Sequence, residues 1–172
     1  MKKVLVIGCG GAGKTTFAIQ LGKILGIEVI HLDSYYWHPG WVETSKNEWL
    51  DVVEGLVSGP SWIVDGNYSG TLEIRLQACD SIIFLDISRM TCLWRVVKRS
   101  VKFRNKRRPD MAEGCHEKLS LDFLFWIWSY RKGTRPQIVD LLKANSHTKR
   151  VVWLRSKKET DEFSGLKRRI ET

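Results

Sequence analysis

The sequence predicts an α/β fold, a five-stranded parallel sheet with helices on both faces, organised as one domain over residues 1–172. Three observations carry that expectation. Short β-branched runs alternate with helix-period segments along the whole chain. The first run passes into the first helix through a glycine-rich turn, as a βα unit does. Three of the later runs close on an acid, Asp33, Asp65 and Asp86, so chemistry-bearing side chains gather at one edge of the sheet, where ligands bind in parallel α/β folds.

Lys3 to Ile7 is an apolar, β-branched run suited to a strand buried on both faces. Thr15 to Leu25 places Phe17, Leu21, Ile24 and Leu25 on one helical face, with Gly26 just past the end. Glu28 to Leu32 predicts the second strand, and the aromatic stretch Tyr35 to Trp41, broken by Pro39 and Gly40, predicts irregular chain. Ser45 and Glu48 have capping-box spacing for a helix with Trp49, Val52, Val53 and Leu56 on one face. Trp62 to Val64 and Ser81 to Leu85 predict the third and fourth strands. Ser88 can cap a helix that carries Met90, Leu93, Trp94 and Val97. A lid-like excursion is expected over about 102–116, marked by Pro109 and Gly114. Helix is expected again from Glu117 to Arg131, with Phe123, Phe125, Trp126 and Trp128 in the core, and from the Gly133 to Pro136 break through Leu142. Arg150 to Leu154 predicts the fifth strand, and Ser156 with Glu159 caps the last helix.

Composition narrows the class. Charged residues make up 27% and apolar residues 43%, the balance of a globular chain rather than a disordered one. The opening Met1, Lys2, Lys3 and the short run that follows lack a signal-peptide core, and no stretch reaches the roughly 20 apolar residues of a membrane span. The expectation is a soluble, cytoplasmic protein. Cys9, Cys79, Cys92 and Cys115 lack metal-ligand spacing and are expected as reduced thiols. Lys and Arg exceed Asp and Glu by 28 − 19 = 9, which implies an anionic partner, and eight Lys or Arg with no acid fall between Arg95 and Arg108.

Gly8, Cys9, Gly10, Gly11, Ala12, Gly13, Lys14 and Thr15 match G-x-x-x-x-G-K-[ST] without a gap. Such a loop turns consecutive backbone N–H groups inward onto phosphate oxygens, and the helix that follows presents its positive end there. The pattern predicts binding of ATP with Mg²⁺: Lys14 spans the β- and γ-phosphates, Thr15 is a metal ligand, and Thr16 belongs to the same nucleotide-binding first turn.

The segments HLDSYYWHPGW (31–41), WIVDGNYSGTLEIRL (62–76) and RRPDMAEGC (107–115), together with this loop, resemble the DNA topology modulation protein family, adenylate-kinase-related P-loop proteins, over nearly the whole chain. The resemblance implies a nucleoside monophosphate kinase-like P-loop NTPase fold and a phosphotransferase role. It implies that Asp65, where adenylate kinases carry the Asp of D-G-F-P-R, is a Mg²⁺ site residue. It implies that Asp33 lies near the acceptor hydroxyl, as general base or as a holder of metal-bound water, with capping as the bland alternative. Arg95 and Arg99, one turn apart, stand as two lid-hinge arginines do, one stacking on the base and one contacting phosphate. Arg107 and Arg108 would close over the triphosphate, and Arg155 follows the fifth strand, where the fold wraps adenine. Asp86 is expected to be structural, and Arg131 and Arg135 are weaker candidates. Two departures stand out: the arginine of D-G-F-P-R is missing, with only Arg75 downstream, and Gly10 replaces a proline common in adenylate kinases. The rings of Tyr35, Tyr36, Trp37 and Trp41, with His38, either cover the sheet edge or stack on a base or sugar.

The expected activity is transfer of the γ-phosphoryl group of ATP to a small acceptor such as a nucleoside or nucleotide, with Lys14, Asp33, Arg95 and Arg99 as the catalytic set. The alternatives are a nucleic-acid-binding regulator switched by ATP, motivated by the basic segment, and an ATPase in which water is the acceptor.

Overall fold

The computed structural model describes residues 1–104 and 111–170. Arg107 and Arg108, and with them the centre of the expected lid, lie outside the described residues.

Five parallel strands, β1 (Lys3–Gly8), β2 (Val29–His31), β5 (Trp62–Asp65), β6 (Ser81–Leu85) and β7 (Arg150–Leu154), form one sheet in the order β2-β5-β1-β6-β7. Placing β1 at the centre puts its apolar run under both layers: Val4, Leu5 and Val6 are fully buried, and β1 pairs with β5 through Val6↔Asp65 and with β6 through Gly8↔Leu85. Right-handed crossovers then fix the layers. Helices α1 (Lys14–Leu25) and α8 (Lys157–Ile170) pack together on one face, and α3 (Lys46–Val57) and α4 (Leu72–Ala78) pack together on the other, alongside α7 (Thr134–Asn145). No helix of the described residues is long and apolar enough to cross a membrane.

Several expectations are corrected. The aromatic stretch is not irregular: Asp33–Tyr36 forms the short helix α2, and Trp37–His38 (β3) pairs antiparallel with Val42–Glu43 (β4). Its turn holds Trp41 at φ 68, a position where the indole Nε1 donates to the His116 carbonyl at 3.0 Å. Ser45 does not cap α3 through a backbone N–H; its hydroxyl meets the Glu48 carboxylate instead at 3.4 Å. Helix α6 (Leu121–Ser129) is shorter than the expected 117–131, because Glu117 leaves the helix period to bridge Arg104 and to pair with Arg99.

Helix α5 (Arg89–Lys102) is capped by Ser88 as expected, its hydroxyl accepting from Thr91 N at 3.3 Å. Cys92 and Val96 are buried and Leu93 packs against the core, whereas Met90, Trp94 and Val97 are exposed. The α6 aromatics also divide: Phe123 and Trp126 turn inward, and Phe125 and Trp128 face solvent. A helix with apolar residues on two sides gives no one-dimensional signal of which side meets the sheet.

Candidate nucleotide and acceptor site

The loop after β1 is held open by its backbone and by the helices behind it. Gly11 (φ 78) and Gly13 (φ 97) take left-handed conformations that a side chain disfavours, and a Cβ at Gly11 would stand 2.4 Å from the Cys92 carbonyl oxygen. Gly10 explains itself by contact: a Cβ there would lie 2.5 Å from the Phe123 ring, so the departure from proline follows from α6 covering the loop. Phe123 stacks on Trp126 (centroids 5.7 Å, 12° between planes), forming a lid of rings over that turn.

The loop's cations converge. Lys14 Nζ donates to the Gly8 and Cys9 carbonyls at 3.0 and 3.1 Å. Arg95, reaching from α5, donates through Nη1 to the Ala12 carbonyl at 2.9 Å and comes within 3.4 Å of the Cβ position of Gly13. Arg99 lies one turn further on, with its Nε engaged by the buried Glu117 carboxylate at 2.9 Å. Cys9 and Cys92 are in thiol contact behind the loop; that hydrogen bond and burial push the Cys9 thiol up, so it stays protonated. Thr16 is exposed on the first turn of α1.

At the end of the neighbouring strand β5, the buried Asp65 accepts from the Thr15 hydroxyl (2.8 Å) and meets His31 Nδ1 (3.1 Å) through the same oxygen. These are hard oxygen donors beside the glycine-rich loop, the chemistry that Mg²⁺ selects when it keeps waters and takes one or two protein oxygens. Thr15 and Asp65 therefore fit that ion. His31, which the sequence reading passed over, lies beside Asp65 because β2 pairs His31↔Asp65.

One strand further out, Asp33 opens α2, and Tyr68 donates its hydroxyl to Asp33 Oδ1 at 2.6 Å. Burial, then the Asp33 charge, push the Tyr68 phenol up, so it is a donor at any physiological pH. Tyr68 also packs on Tyr36 and Trp49, with centroids at 4.6 and 5.2 Å, and Trp37 packs edge-on to Tyr36 and Trp41. Packing thus accounts for Tyr36, while Tyr35 is exposed.

The segment between Asp65 and α4 is built around Arg75. Fully buried, it donates to the carbonyls of Gly66, Asn67, Tyr68 and Thr71 at 2.5–3.2 Å, and burial lowers its pKa to about 10. So Arg75 is a brace for the loop, not a group facing an acceptor. Braced in this way, Asn67 Oδ1 accepts from Gly8 N at 3.1 Å, tying the segment to the start of the glycine-rich loop. Asn67, Tyr68 and His31 were missed because their partners are distant in sequence.

The remaining candidates lie at the rim. Asp86 receives a two-pronged pair from Arg135 (2.8 and 2.7 Å) and the Trp153 indole N–H (3.1 Å). Arg155 is exposed with its guanidinium over Trp153 at 5.0 Å. The described part of the expected lid folds onto the β3–β4 hairpin: Cys115 Sγ donates to the His38 carbonyl, and Gly114 abuts Pro39. A cleft of about 610 Å³ between α4 and α7, floored by Ile7, Leu76 and Ile138, reaches Asn67 at one end and Lys149 at the other.

No family model matches the chain, and no curated protein matches it. Solved structures do. Deoxyadenosine kinase from M. mycoides with the products dCMP and a flexible dCDP bound aligns at 15% identity over 97% of this chain and 98% of that one, with a TM-score of 0.50. The same kinase with dCTP bound aligns at 16% identity over 95% and 97%, with a TM-score of 0.49. The first of these likenesses extends end to end in both chains, and with the sheet order and flanking helices it identifies the fold as that of the P-loop nucleotide and nucleoside kinases.

Proposed function

We propose that this chain is an ATP-dependent phosphotransferase that moves the γ-phosphoryl group of ATP to a small acceptor of the nucleoside or nucleotide class. The observation that carries the reading is the spacing of two prepared groups along one sheet edge. The phosphate loop ends β1, the Asp33–Tyr68 pair stands at the end of β2, and β5 separates them. Two strand spacings amount to about 10 Å. That gap suits one acceptor lying between a carboxylate that takes its hydroxyl proton and a loop that presents the phosphoryl group.

In this reading Gly8 to Thr16 cradle the phosphates, Lys14 and Arg95 neutralise charge as it shifts toward the leaving group, and Arg99 supports them from the next turn. Thr15 and Asp65 would hold Mg²⁺, which supplies charge neutralisation at the phosphates when bound. Asp33 positions and deprotonates the acceptor, the residues near 102–116 act as a lid, and Arg155 lines the base end. An ATPase without acceptor has no use for a carboxylate oriented by a tyrosine at that distance. The nucleic-acid reading loses support because two cations of the basic segment, Arg95 and Arg99, are turned inward.

The test is a phosphate-transfer screen with labelled ATP and Mg²⁺ across nucleosides, nucleotides, sugars and polynucleotide ends, run beside the Lys14→Ala variant. Transfer to a nucleoside or nucleotide that disappears in the variant is the expected result. Label released only to water, or transfer that survives in the variant, overturns the assignment.

A further inference from the structure

Of the twelve large hydrophobic side chains exposed among the described residues, seven lie on α5 and α6: Met90, Trp94, Val97, Val101, Leu121, Phe125 and Trp128. Scattered exposure needs no explanation, but this concentration does.

Spacing gives the first clue to what covers it. The α5 residues follow intervals of 4, 3 and 4, and the α6 residues intervals of 4 and 3. That is the alternation of a heptad seam, a stripe narrower than the apolar face of a helix lying in a membrane interface. The two helices are antiparallel neighbours, fixed at both ends: Arg89 stacks over Trp128 at 4.1 Å where α5 begins and α6 ends, and Arg99 pairs with Glu117 shortly before α6 begins. Two seams therefore run side by side on one outward surface.

We infer that this surface is a self-association face, on which the α5–α6 pair of a second copy packs about a two-fold axis to form a four-helix bundle. Such an axis brings like seams together without further partners. The area agrees. An aromatic side chain spans about 150–250 Å², so the exposed parts of Trp94, Phe125 and Trp128 come to on the order of 350 Å². The aliphatic residues raise the seam to on the order of 700 Å², near the ~800 Å² each partner gives to a standard interface. Arg89 and Lys98 rest over the rings of Trp128 and Trp94, so each copy brings cations to the edge of the seam, and added salt screens the repulsion between them.

The face lies directly behind the phosphate loop. The opposite sides of the same helices supply Cys92 and Arg95 against Gly11 and Ala12, and Phe123 against Gly10. Pairing thus steadies the two helices that shape the loop, whatever the loop's nucleotide is used for.

Sedimentation velocity and light scattering on the full chain, from low micromolar to about 100 µM and at low and moderate salt, test this. A dimer is expected that is not weakened by added salt, and Trp94→Glu with Phe125→Glu should weaken it by roughly thirtyfold or more. Circular dichroism confirms that the double variant folds, and Val101→Glu, on the last turn of α5, provides a milder second variant. A chain that stays monomeric, assemblies indifferent to both variants, or a monomer that instead floats with phosphatidylserine vesicles overturns the inference.

Discussion

Tyr68 donates its hydroxyl to Asp33 across 2.6 Å, although 35 residues separate them. The bond joins the segment after β5 to the first turn of α2 and fixes the direction of one Asp33 oxygen. In the proposed reaction that leaves the carboxylate oriented toward the acceptor's hydroxyl.

Tyr68→Phe removes this donor while keeping the ring contacts to Tyr36 and Trp49. A hydrogen bond to a charged group contributes about 1.5–3 kcal/mol, so kcat/KM should fall roughly 10- to 100-fold. Steady-state kinetics with the acceptor found in the screen, beside a thermal melt, check this. An unchanged kcat/KM would show that the pair has no part in transfer.

Gly11→Ala should damage the phosphate loop. The left-handed backbone costs a side-chain residue about 1–2 kcal/mol, and the new Cβ would stand 2.4 Å from a carbonyl oxygen of α5. Titration calorimetry should register loss of ATP binding even where circular dichroism reports a folded chain. Wild-type affinity in the variant would mean that the loop does not hold the triphosphate.

Arg75→Met leaves the carbonyls of Gly66, Asn67, Tyr68 and Thr71 without their buried donor. At about 1–3 kcal/mol for an unsatisfied buried group, with partial relaxation, a loss of roughly 3 kcal/mol is expected in denaturant unfolding. Because the same brace places Tyr68 and Asn67, activity per folded molecule should drop too. A stability loss with full activity would reduce Arg75 to packing alone.

Asp86 couples stability to acid. Burial pushes its carboxyl up, but hydrogen bonds from Arg135 and Trp153 outweigh that and hold it below the usual 3.8. A folded-state value below the unfolded one means the carboxylate's stabilisation is complete above about pH 4 and is lost as pH falls through the depressed value. Asp86→Asn should cost roughly 2–3 kcal/mol at neutral pH and flatten the acid limb of the stability curve below pH 4. An acid limb that keeps its shape in the variant would place the titration elsewhere.

The amino-acid order alone determined the parallel α/β architecture, the five strands and the glycine-rich turn that joins β1 to α1. Each of these is written locally: a buried strand is a continuous apolar run, and an anion cradle is a string of glycines before a lysine at a helix start. Only the tertiary structure decided that Arg75 is a brace, that Tyr68, Asn67 and His31 reach the site, and that Arg95 bears on the loop through Ala12. It also decided which side of α5 is buried, taking Cys92 and Val96 inward and leaving Met90, Trp94 and Val97 exposed. These facts depend on which strands become neighbours and which helix crosses behind the loop. Pairings over tens of residues are fixed by the packing of the whole domain, and no periodicity in a local window records them.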